Sequence, residues 1–215
     1  MHKLIEDYIN NHQYDLSNYN PSNDKLAIII ETRPTPYLEW VISNIKYHTN
    51  FPIKHISEGV NSFEDYNKLL TSFDFWKDLP ENVLIFQSDS FMLKDWNPKF
   101  ERYDFIGAPW KWAYEYKNCH PYQLGANGGF SFRKTTAMKR IILKYPPEEF
   151  RVKKINPRGN EDMYFTLHLN RLRNTLPNLN IQKQFGCESI YYNDPMSVHA
   201  IDKWLSDEEI KTILN

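Results

Sequence analysis

The stretch Val83-Leu84-Ile85-Phe86-Gln87-Ser88-Asp89 is a short continuous apolar run that stops at an acidic residue. Apolar at successive positions rather than alternating ones, such a run fits a strand covered on both faces. Lys25 to Glu31 (K-L-A-I-I-I-E) predicts a second buried strand, and Phe51 to Ile56 another. Between them the period changes. Leu38, Val41, Ile42 and Ile45 fall at i, i+3, i+4 and i+7, one face of a helix. Ser62 through Phe75 predicts a further helix, opened by a capping-box-like Ser62-x-x-Asp65 and carrying Tyr66, Leu69, Leu70 and Phe73 on its apolar face. Thr32-Arg33-Pro34-Thr35-Pro36 turns the chain between the first strand and its helix, because proline presets φ and cannot donate to a ladder. This strand–helix alternation is the pattern of a parallel α/β sheet.

The second half is less regular. Tyr103 to Trp110 predicts a short strand running into a turn, and Gly125-Ala126-Asn127-Gly128-Gly129 is a glycine-rich loop feeding Phe130-Ser131-Phe132-Arg133. A helix follows from Thr135, with Met138, Ile141 and Ile142 on one face. Pro146 to Gly159 is expected to be a polar loop, and Asn160-Glu161-Asp162 to open a helix bearing Phe165, Leu169 and Leu172. Phe185 to Tyr192 predicts a last strand, and Ser206-x-x-Glu209 caps a C-terminal helix. Residues 1–24 are polar and Asn-rich, expected to form a short helix and then a loose lead-in. No repeat or internal linker interrupts the chain, so residues 1–215 are expected to make one domain.

A net charge of −1 gives no general attraction to nucleic acid or to an anionic membrane. No basic stripe interleaves with aromatics, which argues against nucleic-acid binding. No apolar run is long enough to span a membrane, and the polar N-terminal residues lack a signal-peptide core. Cys119 and Cys187 have neither metal-site spacing nor disulfide-scaffold density. A cytoplasmic protein is the expectation. The P-loop, the G-x-G-x-x-G fingerprint and the G-x-S-x-G elbow are all absent from the sequence. The 14 Tyr, 13 Phe and 6 Trp offer flat faces for sugar rings and bases, although filling a core accounts for most of them.

Four segments can carry chemistry. Asp89 lies beyond a strand's carboxyl end, where open α/β sheets bind ligands, and a carboxylate there can hold a divalent cation against a phosphate; acidic residues at strand ends are also common. Thr32 and Arg33 follow the first strand at the same kind of position, Arg33 as a phosphate or base contact or as a surface ion pair. Arg133, after the glycine loop, is a weaker phosphate candidate. Asn127, Gly128 and Gly129 let backbone approach a ligand closely. Glu161 and Asp162 lie at a helix N-terminus, which favours an ionised carboxylate usable as a base, or Asp162 or Asn160 merely caps the helix. His199, following the predicted last strand, is an ordinary buried or surface histidine, or joins Asp89 and diphosphate oxygens around an ion, in which case imidazole ligation suits Mn²⁺ better than Mg²⁺.

In order along the chain, I-I-E-T-R-P, D-Y-N-K-L-L-T-S-F-D-F-W, V-L-I-F-Q-S-D-S-F, Y-D-F-I-G-A-P-W, N-G-G-F-S-F-R, N-E-D and S-V-H resemble a family of compact GT-A-type glycosyltransferase domains. The resemblance covers about residues 26–204. It implies a Rossmann-like GT-A fold, with a central, mostly parallel sheet flanked by helices. It also implies a nucleotide-diphosphate sugar donor (UDP-sugar foremost), a glycan or other hydroxyl acceptor, and Mn²⁺ or Mg²⁺. Gln87-Ser88-Asp89 occupies the position of the family's D-x-D motif, with Gln87 in place of its first Asp, so that Asp89 and His199 take the metal. Thr32, Arg33, Tyr66, Asn67, Gln87 and Ser88 are then nucleotide contacts, while Asn127, Gly128 and Gly129 stand beside donor and acceptor sugars. Asp162 or Glu161 is the catalytic carboxylate, a base if configuration inverts or a charge shield if it is retained. A catalytically inactive sugar-nucleotide- or glycan-binding module is the alternative that Gln87 favours. A metal-dependent nucleotide-sugar hydrolase is a further one.

Overall fold

The computed structural model describes residues 2–116, 120–152, 160–172 and 175–215. Its strands are β1 (Lys25–Ile30), β2 (Ile53–Ile56), β3 (Asn82–Phe86), β4 (Ser90–Met92), β5 (Phe105–Gly107), β6 (Phe130–Lys134), β7 (Gly186–Cys187) and β8 (Ser197–His199). They form a five-stranded sheet ordered β2-β1-β3-β6-β5 and a three-stranded sheet ordered β4-β8-β7. β1 pairs in parallel with both β2 and β3, whereas β6 runs antiparallel to β3 and to β5. The sheet is therefore mixed. The parallel pairing expected for most of the sheet is confined to its β2-β1-β3 half.

The strand side chains explain why both faces are covered. In β1 and β3, Ile28, Ile30, Val83 and Ile85 enter one core with Leu70, Trp76, Met138, Ile141 and Phe165. The alternate residues Ala27, Ile29, Leu84 and Phe86 enter the other, against Val41 and Ile45 of the helix Leu38–Thr49. Each full burial of such a side chain stabilises the fold by about 1.5–3 kcal/mol relative to exposure. The small sheet packs on a third cluster, in which Phe91 and Val198 meet Ile5, Ile9, Ile210 and Ile213 from the N- and C-terminal helices.

Several expectations are corrected. The helix predicted over 62–75 is two, Phe63–Leu70 and Phe73–Trp76. Thr71 bonds back to the Asn67 carbonyl, while Ser72 accepts from the Phe75 N–H and so starts a new helix. The Ser62 side chain accepts from the Asp65 N–H as expected, and the Asp65 carboxylate accepts from the Asn61 N–H. A helix, Pro147–Val152, occupies part of the expected 146–159 loop; residues 153–159 and Cys119 lie outside the described residues. Phe185 ends the helix Leu179–Phe185, and only Gly186–Cys187 of the predicted last strand is extended. The Ser206–Glu209 capping box is present.

The N-terminal segment is not loose. After its helix, Lys3–Asn11, Trp40 donates to the His12 carbonyl and Tyr14 accepts from Asn44. Tyr19 donates to Phe51, and Asn20 and Asn50 bond each other reciprocally. Polar composition concealed this, because residues 12–20 are held by aromatic rings and side-chain hydrogen bonds rather than by a periodic apolar face.

Candidate functional site

Register alone assembles the site. β1 and β3 are parallel, so Glu31-Thr32-Arg33 and Gln87-Ser88-Asp89 leave the same sheet edge. β6 is antiparallel with Phe86 opposite Phe130, which sets Gly128-Gly129 beside Gln87. In the small sheet Ser90 is opposite His199, which returns the chain to Asp89 over a long sequence separation. His199 thus lies on a strand, not beyond the last one. Ala200 then adopts a left-handed conformation (φ 48°), and the turn that follows brings Lys203 back over the same edge. A non-glycine residue in that region costs about 1–3 kcal/mol, and it is retained here at the point where the site closes.

Three donors converge. Nε2 of His199 is 3.3 Å from Asp89 Oδ1 and 3.1 Å from Gln87 Oε1. The other Asp89 oxygen accepts from Lys203 Nζ at 2.9 Å. Burial alone would raise the Asp89 carboxyl, but His199 and Lys203 hold it well below the usual range. Burial likewise disfavours the imidazolium of His199, yet Asp89 and Glu188 outweigh it and raise the pKa to about 9. Neighbouring ligands of an octahedral ion bound at about 2.1 Å lie about 3.0 Å apart, so these separations fit a divalent ion taking the place of the histidine proton. Among the described residues no group of three or more His, Cys, Asp or Glu side chains offers a complete metal site. Any ion held by Asp89 and His199 would need Gln87 and oxygens from a bound ligand to complete its shell.

Glycine at 128 and 129 is required by contact. A Cβ on Gly129 would lie 2.2 Å from His199 Nε2, and one on Gly128 would lie 2.2 Å from Glu161 Oε1. Asn127 braces the loop, accepting from the Gly129 N–H at 2.6 Å and donating to Glu188 Oε1 at 3.0 Å.

The two acidic residues of Asn160-Glu161-Asp162 have different surroundings. Glu161 is 3% exposed and takes a bidentate pair from Arg133, at 2.5 and 2.9 Å. Arg133 is itself fully buried, between Phe105 and Phe165. This corrects the phosphate reading of Arg133 and commits both Glu161 oxygens to the ion pair. Asp162 is partly buried, with Oδ2 accepting from Gly128 N–H and Oδ1 from Met163 N–H. Burial, then the adjacent Glu161, raises its pKa to about 7. The simple capping alternative fails for Asn160, the N-cap residue, whose side chain makes no capping bond.

Other predicted contacts also carry structural bonds. Asn67 is buried, donating to the Phe63 carbonyl and accepting from the Glu161 N–H, so it tethers that helix start instead of facing a nucleotide. Thr32 donates to the Val60 carbonyl and Ser88 to Glu31. Arg33 is gripped by Glu31 through Nε and Nη2 at 2.9 Å each, while its side chain stays 81% exposed. The ion pair is the one expected of it, and it leaves a guanidinium edge open to the cleft. The hydroxyl of Tyr66 is buried and forms no well-aligned hydrogen bond.

Glu31, Glu188 and Lys203 went unnoticed in the sequence. Glu31 carried a signal, since it ends a buried strand as Asp89 does; Lys203 and Glu188 are brought in by tertiary pairing alone. A cleft of about 700 Å³ opens at the edge of the sheet. Thr32, Arg33, Tyr66, Gln87, Asp89 and Lys203 line its polar part, and Ile5 and Ile9 of the N-terminal helix contribute an apolar wall. Gln87 and Asp89 stand where this cleft meets His199 and the glycine loop.

No helix among the described residues is long and apolar enough to cross a membrane. No curated protein matches the chain. Among solved structures it is similar to A197 from STIV, with 17% identity and a TM-score of 0.41 over 66% of this chain and 75% of that one. A family model described as "Protein of unknown function (DUF5672)" matches residues 50–199, which span β2 to β8 and most of the residues assembled above. On that match, covering more than two thirds of its length, the chain belongs to the DUF5672 family.

Proposed function

We propose that this protein is a glycosyltransferase of GT-A type that moves a sugar from a nucleotide-diphosphate donor, a UDP-sugar foremost, to a hydroxyl acceptor. The observation that carries it is the convergence of Asp89, Gln87 and His199 beside Gly128-Gly129 and Asp162 at one sheet edge. In this reading the nucleotide half of the donor occupies the cleft along Thr32, Arg33 and Tyr66. Arg33 and Lys203 supply positive charge to the diphosphate, and the sugar lies past Asp89 along the glycine loop. Asp89, His199 and Gln87 would hold Mn²⁺ or Mg²⁺, which when bound neutralises charge on the departing diphosphate. Because Glu161 is committed to Arg133, Asp162 is the carboxylate free for chemistry. As the bond from the anomeric carbon to the diphosphate breaks and that to the acceptor oxygen forms, the acceptor's proton passes to Asp162.

Calorimetric titration of UDP, GDP and dTDP, each with and without Mn²⁺, tests the reading on the intact chain and on Asp89→Ala. One nucleotide is expected to bind only with metal, and the variant to lose that dependence. Failure of the folded protein to bind any of the three, or metal-dependent binding unchanged in Asp89→Ala, overturns it. A comparison of acceptor-stimulated turnover with plain donor hydrolysis separates a transferase from a hydrolase.

A further inference from the structure

We propose that Glu188 is a positioning residue that couples the metal-facing imidazole to the sugar-facing loop; the inference rests on reading Asp89, Gln87 and His199 as a divalent-ion site. Glu188 is 5% exposed, and its Oε1 has two neighbours: Asn127 Nδ2 at 3.0 Å and His199 Nδ1 at 3.4 Å. The second is an ion-pair separation without full hydrogen-bond alignment, and Oε2 has no partner. Burying a carboxylate costs free energy that only its pairings offset, here those made by Oε1.

Two things are held. An acceptor facing Nδ1 keeps a proton on that nitrogen, so that an ion displacing the Nε2 proton would meet the Nε2 lone pair already aimed toward Asp89 and Gln87; a carboxylate behind a ligating histidine fixes both tautomer and ring orientation. The same oxygen orients the Asn127 amide, whose Oδ1 then accepts from the Gly129 N–H at 2.6 Å. Gly129 in turn packs on the imidazole so closely that a methyl group there would overlap Nε2. Glu188, Asn127, Gly129 and His199 thus close a ring of contacts between strand β8 and the glycine loop. A change at the loop is felt at the imidazole, and the reverse.

The test compares the whole chain with Glu188→Gln, Glu188→Asp and Glu188→Ala. Mn²⁺ uptake is followed by the free-ion EPR signal, and the His199 ring nitrogens and Gly129 amide by NMR, with a thermal melt to establish folding. Mn²⁺ affinity is expected to fall about 10–100-fold in Glu188→Ala and about 10-fold in Glu188→Gln, with partial recovery in Glu188→Asp. The His199 and Gly129 signals are expected to shift together. Glu188→Gln preserves side-chain volume and carries the test if Glu188→Ala does not fold. A folded variant with wild-type Mn²⁺ affinity and unmoved His199 signals overturns the proposal. A wild-type protein that takes up no Mn²⁺ overturns the ion-site reading instead. In that case, joint movement of the His199 and Gly129 signals upholds the coupling, and unmoved signals refute it.

Discussion

Replacing Asp162 by Asn tests the electrostatics of the site most directly. In the folded protein burial and the adjacent Glu161 raise the Asp162 carboxyl to about 7, against the pull of the Gly128 and Met163 N–H groups and Arg133. An aspartate in an unfolded chain titrates near 3.9. A group that binds its proton more tightly when folded stabilises the fold fully below its unfolded pKa, and that contribution is lost as pH rises through the folded one. The window is therefore about pH 4 to 7. At about 1.4 kcal/mol per pKa unit, ionisation between pH 5 and pH 8 removes at most about 2–3 kcal/mol, and about 2 kcal/mol once partial solvent access is allowed for. Asparagine carries no charge at either pH. It has only one acceptor for the two N–H groups that Asp162 serves, a loss of about 1 kcal/mol at both. Urea denaturation at pH 5 and pH 8 should show Asp162→Asn gaining about 2 kcal/mol on wild type between the two conditions. Wild-type turnover should rise with pH to a plateau, with its midpoint near 7. Asp162→Asn should lower turnover by about 10²–10⁴-fold at pH 8. A stability gap that does not change with pH, or near-normal turnover in the variant, refutes this account of Asp162.

Gly129→Ala places a methyl group 2.2 Å from His199 Nε2; the ring must yield by about 1 Å, at an overpacking cost of about 1–3 kcal/mol. Calorimetry should show metal-dependent nucleotide binding weakened at least about 10-fold, and unchanged binding would mean that the loop does not set the imidazole. Glu161→Gln strands the buried Arg133 charge and should cost about 3–5 kcal/mol in chemical denaturation, whereas a loss below about 1 kcal/mol would deny the pair its structural role. Deletion of residues 1–24 removes buried Ile5 and Ile9, worth about 1.5–3 kcal/mol each. A melting temperature unmoved by that deletion would restore the loose lead-in.

The central strands were legible because burial on both faces leaves a continuous apolar signature, as in Ile28 to Ile30 and Val83 to Phe86. Asp89, Asp162 and the glycine pair stood out because each lies at the end of an element, and the structure brings them to one sheet edge. What could not be read was pairing. Whether Glu161 or Asp162 was the free carboxylate depended on Arg133, which the period-2 pattern of β6 turns into the core and which a local view takes for a surface cation. Likewise Asn67 is polar and near the site, yet its amide is consumed by the Glu161 N–H across 94 positions. Glu188 and Lys203 reach the site only through the short strands β7 and β8, too brief to leave a periodic trace.

The strand order carries a practical consequence. β1 lies between β2 and β3 in space but before both in sequence, and it falls outside the span that family similarity marks out. A fragment cut to residues 50–199 would therefore lack a plank from the middle of its floor. It would present two raw ladder edges, of β2 and β3, each primed to recruit foreign strands. The matched span ends short of where the fold does, so the smallest autonomous unit must reach back at least to Lys25.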